Sequence, residues 1–404
     1  MVVIVSFTIA CLTNLSFAEN TQDASAHGRL FRLSWTGNSL SINTTKPAWF
    51  YQFAGIISLT PGFSFSNCTP SDNGLCLFPV SDTHIATPVL AGPAIQPEFK
   101  LCLNGLGNTY SCERVQLGER FAYVINSVGN TVTKCSVSAN TGNLSECANS
   151  GATALNGPRG IILNAKGTFA YITNLNNDTL VKCNINPNTG DLTECVDSGA
   201  TNLTQPRLIA LNLTGTIAYV VNGGNNTITK CNVSINTGDL IGCTNSGATT
   251  LNNPSGIILN PRGTFTYITN VGNNTITKCI IDSATGDLKE CVDSGATNLT
   301  LPLGITLNSA GTLAYIANLL SHSVTKCNVN TGTGDFTECA NSGATGLTSP
   351  AGIILNSSGT VLYVTSNIIP ATVMQCNVLN TGNLTACVNS GATHLNTSFG
   401  IQLS

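Results

Sequence analysis

A unit of 48 residues repeats from Leu117 to the end of the chain. The segments FAYVINSVGNTVTKC, FAYITNLNNDTLVKC, IAYVVNGGNNTITKC, FTYITNVGNNTITKC, LAYIANLLSHSVTKC and VLYVTSNIIPATVMQC align. Their tyrosines, Tyr123, Tyr171, Tyr219, Tyr267, Tyr315 and Tyr363, stand 48 apart at every step. Residues 117–404 number 288, which is six whole units. A period of this length built from short β-runs marks the blades of a propeller. Each unit carries four strand patterns, in the second copy GIILN, TFAYITN, TLVKCNI and DLTECVD, punctuated by Pro158, Gly167 and Asn-Thr-Gly turns. The repeats begin on a second strand (RFAYVIN) and end on a first strand (GIQLS). The last strand is therefore expected to complete the first blade and close the ring, which removes free sheet edges. A seventh, irregular blade drawn from upstream is the structural alternative.

The YVTN-like tyrosine strands and the P-x-G-I-x-L-N strands resemble those of the YVTN and NHL-type β-propellers of bacteria, over residues 117–404. The chain closely resembles the exported bacterial subgroup whose blades carry paired cysteines. That resemblance implies an all-β, six-bladed propeller. It also implies an upstream module, and strand patterns at 19–116 such as LFRLSWTGNSLSI and AWFYQFAGIISL read as a small immunoglobulin-like β-sandwich. The family includes lactonase-like and cell-surface members, so fold alone implies no reaction.

Each unit holds two cysteines around a Gly-containing turn. With a three-residue loop Asn140-Thr141-Gly142, Cys135 and Cys147 fall directly opposite each other on a hairpin, at a separation a disulfide bridges. The same register pairs Cys183–Cys195, Cys231–Cys243, Cys279–Cys291 and Cys327–Cys339. Cys376–Cys387 is one residue closer because its turn is one shorter. Upstream, four cysteines allow three connectivities, of which proximity favours Cys68–Cys76 and Cys102–Cys112. The chain has 17 cysteines, and Cys11 lies in an apolar N-terminal run followed by Ser16-Phe17-Ala18, an expected signal peptide over 1–18, leaving an even number. Sixteen thiols in an exported chain read as a disulfide framework. Metal would want close C-x-x-C pairs, and redox catalysis a thioredoxin-like pattern; neither is present. Lys134 and its repeats are expected to pair with Glu146 and its repeats across the same hairpins.

Only 9% of residues are charged and the net charge is −3, so there is no footprint for nucleic acid or acidic lipid. The four histidines, His27, His84, His322 and His394, form no ligand motif. No nucleophile elbow, phosphate loop or dinucleotide fingerprint occurs. The inner-strand patterns carry almost no acids, which weakens an acid–base channel. The Asn-x-Thr triplets read as turn residues. Where the copies disagree, selectivity can reside. Arg159 and Arg207 stand together in the loop entering the inner strand, facing an apolar arc at Leu303, Ala351 and Phe399. Leu319, Leu320, Ile368 and Ile369 interrupt the Asn-rich loop after the second strand. The expected site is this face, with Arg159, Arg207, His322, Ile368 and Ile369 meeting a protein, peptide or glycan. No catalytic residue, metal or cofactor is expected, and no membrane span after leader removal. The expected location is periplasmic, cell-surface or extracellular. The alternatives are a lactonase-like hydrolase using the channel and a purely structural envelope component.

Overall fold

The computed structural model describes residues 121–404, apart from 139–140 and 187–188, and the backbone of ten strands between residues 20 and 116. The chain divides into two compact units between Gly118 and Glu119. In the first, six strands form a sheet in the order Asn20–Asp23, Tyr110–Gln116, Glu98–Gly105, Tyr51–Ser58, Leu75–Pro79, Thr69–Pro70. Phe31–Thr36, Ser39–Thr44, His84–Leu90 and Phe63–Ser66 form another. The immunoglobulin-like packing, the leader over 1–18 and the Cys68–Cys76 and Cys102–Cys112 bridges lie outside the described residues and side chains.

The second unit is six antiparallel sheets of four strands each. The second blade is representative: Pro158–Leu163 innermost, then Phe169–Asn174, Thr179–Ile185 and Leu192–Asp197 outermost. The first blade takes its inner strand from the C-terminus. Ser398–Leu403 pairs with Phe121–Asn126, with Val124 opposite Ile401 and Ala122 opposite Leu403. At the other five inner-strand ends an asparagine such as Asn164 caps the turn, accepting from the Thr168 and Phe169 amides. At the closure Ser404 does this work, its Oγ accepting from the Phe121 amide at 2.9 Å. The ring closes with six blades, as its sequence period requires.

The second strands are buried on both faces because each is sandwiched between neighbouring blades. Their tyrosines are the largest fully buried side chains of the propeller. Each buried hydroxyl needs an acceptor, and five find one across the blade boundary. Tyr123, Tyr171, Tyr219, Tyr315 and Tyr363 donate to the carbonyls of Gly190, Gly238, Gly286, Gly382 and Gly142 at 2.6–2.7 Å. Those glycines sit at the tips of the next blade's outer hairpins. Tyr267 is the exception: its hydroxyl is buried without a partner, and its ring lies 4.6 Å from that of Phe336, which replaces the leucine of the other blades.

All six repeat-unit disulfides form, with Cα–Cα distances of 4.0–4.3 Å. The hairpin that holds them differs from expectation. In the third blade the Ser234 amide donates to the Asp239 carbonyl and the Gly238 amide back to Ser234, so the loop is four residues, 235–238. A β-bulge at Gly242 then shifts the register between Lys230 and Asn232, which returns Cys231 to face Cys243. Elsewhere the bulged residue is Glu146, Glu194, Glu290 or Glu338, with φ near 50°. In the last blade the loop is three residues, between Leu379 and Asn383, and the cysteines are 11 apart.

The bulge also corrects the expected Lys–Glu ladder. The bulged glutamates bond within their own hairpin, where Glu146 accepts from Ser136 and Glu338 from Asn328. The lysines reach the next blade instead. Lys134, Lys182, Lys230 and Lys278 pair with Asp191, Asp239, Asp287 and Asp335, each beside the glycine of its hairpin tip. The Lys182 ammonium also donates to the Thr237 carbonyl at 2.7 Å, so the tip at 237–239 is held at three successive residues, whereas the tip that Lys278 grips lacks the tyrosine bond.

On the rim, the Ser-Gly-Ala-Thr stretch after each outer strand binds the next one. The Leu192 amide donates to the Ser150 carbonyl at 2.7 Å, and a methyl group on Gly151 would stand 2.9 Å from the Leu192 carbonyl. Gly151 also sits at φ +87°, so only glycine fits there without strain.

Three outcomes follow for stability. Tyr171→Phe, Tyr219→Phe or Tyr315→Phe should each cost about 1 kcal/mol by losing a buried hydrogen bond, whereas Tyr267→Phe should cost nothing in the same urea melt. Removing one repeat disulfide, as in C231A/C243A, should cost about 2–3 kcal/mol, and denatured, unreduced protein should show no free thiol from these six pairs. Lysine hydrogen bonds hold the Asp191, Asp239, Asp287 and Asp335 carboxyls below their ordinary range. Their contribution is present at neutral pH and lost as pH falls below about 4. The variant with all four aspartates changed to asparagine should show a flatter acid limb in Tm against pH.

Candidate functional site

The inner strands approach one another around the channel through the glycine of the P-x-G pattern. A methyl group on Gly160 would stand 2.7 Å from the Arg207 carbonyl, one on Gly256 2.3 Å from that of Leu303, and one on Gly400 2.8 Å from that of Arg159. Glycine and backbone therefore make these contacts in five blades, the third carrying Leu208 in place of the glycine, and the residue before this position varies. Around the ring these positions are Phe399, Arg159, Arg207, Ser255, Leu303 and Ala351.

The two arginines are neighbours, as expected, and each is anchored differently. The Arg159 guanidinium lies over the Phe399 ring, 3.6 Å from its centroid. Phe399 is thus the platform for Arg159 rather than part of a separate apolar arc. The Nε of Arg159 is buried without a hydrogen-bond partner. Arg207 donates through Nη1 to the Pro254 carbonyl at 3.1 Å and, at 3.4 Å, to that of Asn253. Its side chain passes over Gly223, where a methyl group would lie 2.3 Å from Nε. The other blades carry Ser127, Leu175, Val271, Leu319 and Asn367 there, so the glycine makes room for this arginine. Phe399 and Gly223 are the two contributors that reading the sequence did not single out for these roles; both depart from the repeat where an arginine needs them.

Burial and the nearby Arg207 charge lower Arg159 to about 10, and burial lowers Arg207 as well. Both remain cationic at neutral pH. Among the described residues no ion pair involves either. The described carboxylates lie elsewhere, on outer strands and hairpins, apart from Asp178, whose carboxylate accepts from the Gln205 amide at 2.5 Å.

His322 is placed differently from its expected role. It has φ 51° and its Nδ1 accepts from the Ser349 amide at 2.8 Å. Asn130, Asp178, Asn226 and Asn274 do the same in the preceding blades, so His322 ties two blades together. Ile369 is 71% exposed and Leu320 64% exposed, while Ile368 and Leu319 are half-buried. No contact joins these loops to the arginine pair. In the Asn-x-Thr triplets the threonine hydroxyls of Thr179, Thr227 and Thr275 donate to Asn177, Asn225 and Asn273, which is turn chemistry. Among the described residues no three His, Cys, Asp or Glu side chains gather as metal ligands. A shallow groove of about 640 Å³ on the rim includes Asp197 and Asp239, both already engaged, by the Gly199 amide and by Lys182.

A family model described as lactonase, 7-bladed beta-propeller, matches residues 114–240 and 160–350, two overlapping spans as an internal repeat allows. No curated protein matches. Among solved structures, a chain of a nidogen/laminin complex aligns at 16% identity and TM-score 0.55, covering 70% of this chain and 97% of that one. A putative 6-phosphogluconolactonase from Bacteroides fragilis aligns at 15% identity and TM-score 0.52, covering 70% and 98%. One from Bacteroides uniformis gives 16% and 0.51, covering 71% and 100%. At these identities the likeness is one of fold.

Proposed function

The chain belongs to the lactonase, 7-bladed beta-propeller family, here with six blades, and from that premise we propose that it is an exported binding propeller. It presents the face bearing the channel mouth and the second-strand loops to a protein, peptide or glycan. One observation carries this reading: the channel mouth concentrates two arginines, a phenylalanine and a leucine among its six varying positions, and the inner strands offer neither carboxylate nor imidazole. Recognition needs such a surface; acid–base hydrolysis needs groups that can hold and release a proton. Six disulfides fit an oxidising compartment. Among the described residues no helix is long and apolar enough to cross a membrane.

Family membership favours a second reading, hydrolysis of a lactone at the same mouth. One set of variants separates the two. Oxidised protein, R159A/R207A and L320S/I369S are compared for partner capture by crosslinking and for proton release from a panel of sugar lactones. The binding reading expects capture that both variants lose, and no lactone opening above the spontaneous rate. Turnover that disappears in R159A/R207A would overturn it in favour of the hydrolase.

A further inference from the structure

We propose that Arg159 and Arg207 form a receptor for a small oxyanion, a carboxylate or phosphate group, at the channel mouth. This rests on the reading of that face as a binding surface and names the chemistry its centre takes. The pair holds two like charges on adjacent inner strands with no carboxylate counter-ion. Like charges so placed repel, and burial removes part of their hydration, so the arrangement is unfavourable when empty. A bound anion relieves both costs.

The donors are arranged for such a guest. Phe399 holds the Arg159 guanidinium flat against its ring, which fixes the plane of its N–H fork. The Arg159 Nε has no protein acceptor. Two carbonyls hold Nη1 of Arg207, and no protein group accepts from its Nη2. An arginine fork matches the oxygens of a carboxylate or phosphate, and here two arginines stand on neighbouring inner strands, one seated on the first blade and the other on the fourth. Four substitutions within the repeat act together here: the two arginines, Phe399 beneath one, and Gly223 clearing the path of the other.

The test is a titration of the full, oxidised protein, followed by the arginine Nε–H resonances in a proton–nitrogen correlation spectrum, with Arg159 assigned through R159K. Inorganic phosphate and gluconate are the probes and glucose is the neutral control. A saturable shift of the Arg159 signal with phosphate, gluconate or both is expected, with none from glucose. Phosphate alone would assign a phosphorylated ligand, and gluconate alone a carboxylate. R207A should weaken the effect about tenfold or more, the loss expected for a charge-assisted hydrogen bond. R207K, which keeps charge without the fork, should also weaken it, and F399L should weaken it while keeping both charges. No saturable shift with either anion across the millimolar range overturns the oxyanion receptor. If partner capture persists in that case, the binding reading survives without it; if capture is absent too, both fall. Saturation unchanged in R207A and R207K would equally overturn the paired site.

Discussion

Each blade is held by a grip that the preceding blade places on its outer hairpin. The buried tyrosine of one second strand donates to a glycine carbonyl at the next hairpin tip, and the lysine of the third strand binds the threonine carbonyl and aspartate on either side. The tip can be gripped only if its position is fixed, and the disulfide just behind it does that by tying the two strands of the ribbon. The four-residue loop and the bulge are part of the same device, since together they aim the glycine carbonyl inward and keep the two sulfurs opposed. A surface ion pair alone would contribute little. Here the charged group is one of several donors converging on one tip.

The seam of the ring shows how closely the parts are matched. At the last two boundaries the ion pair becomes neutral on both sides or on one. Lys326 meets Asn383, and Gln375 meets Asn143, its amide donating at 2.9 Å. A lone aspartate beside Gln375, or a lone lysine beside the hairpin of the first blade, would leave charge without its partner. Replacing both partners at the closing boundary keeps the hydrogen bond without that cost. The C-terminal serine follows the same logic, supplying the cap that asparagines supply elsewhere.

Blade number, closure and the six disulfides were legible because they depend on spacing, and the 48-residue period repeats that spacing six times. The partner of the lysines was not. Glu146 lies 12 residues from Lys134 in sequence, the true partner 57, and the nearer carboxylate accepts from Ser136. Within the sequence, the paired loss of charge at Gln375 and Asn143 was the available clue. His322 looked like a departure that should carry function, yet it fills the backbone-binding position of an asparagine. Its ring nitrogen accepts the hydrogen bond that the amide oxygens of Asn130, Asn226 and Asn274 and the carboxylate of Asp178 accept in the preceding blades. Arg159 and Arg207 were visible as departures too, but their supports, Phe399 and Gly223, lie far off in sequence and become meaningful only once the ring is closed. Residues 1–18 and the upstream cysteines lie outside what the described residues address.

The place of those arginines follows from what the scaffold leaves free. Second strands are packed on both faces, hairpin tips are gripped by neighbours, and the rim is bound by the Ser-Gly-Ala-Thr stretches, so a change in any of these disturbs a blade boundary. At the channel mouth, contact between blades is made by glycine against backbone carbonyl. In five blades that glycine contact does not involve the side chain just before it, and the third blade carries Leu208 at the glycine's place. Six positions around one axis can therefore differ without loosening the ring, and they hold two arginines, a phenylalanine, a leucine, a serine and an alanine. A repeat protein with identical blades would present a symmetric mouth. This one concentrates charge on one side of the axis, over an aromatic ring, in the part of the fold where asymmetry costs the scaffold least.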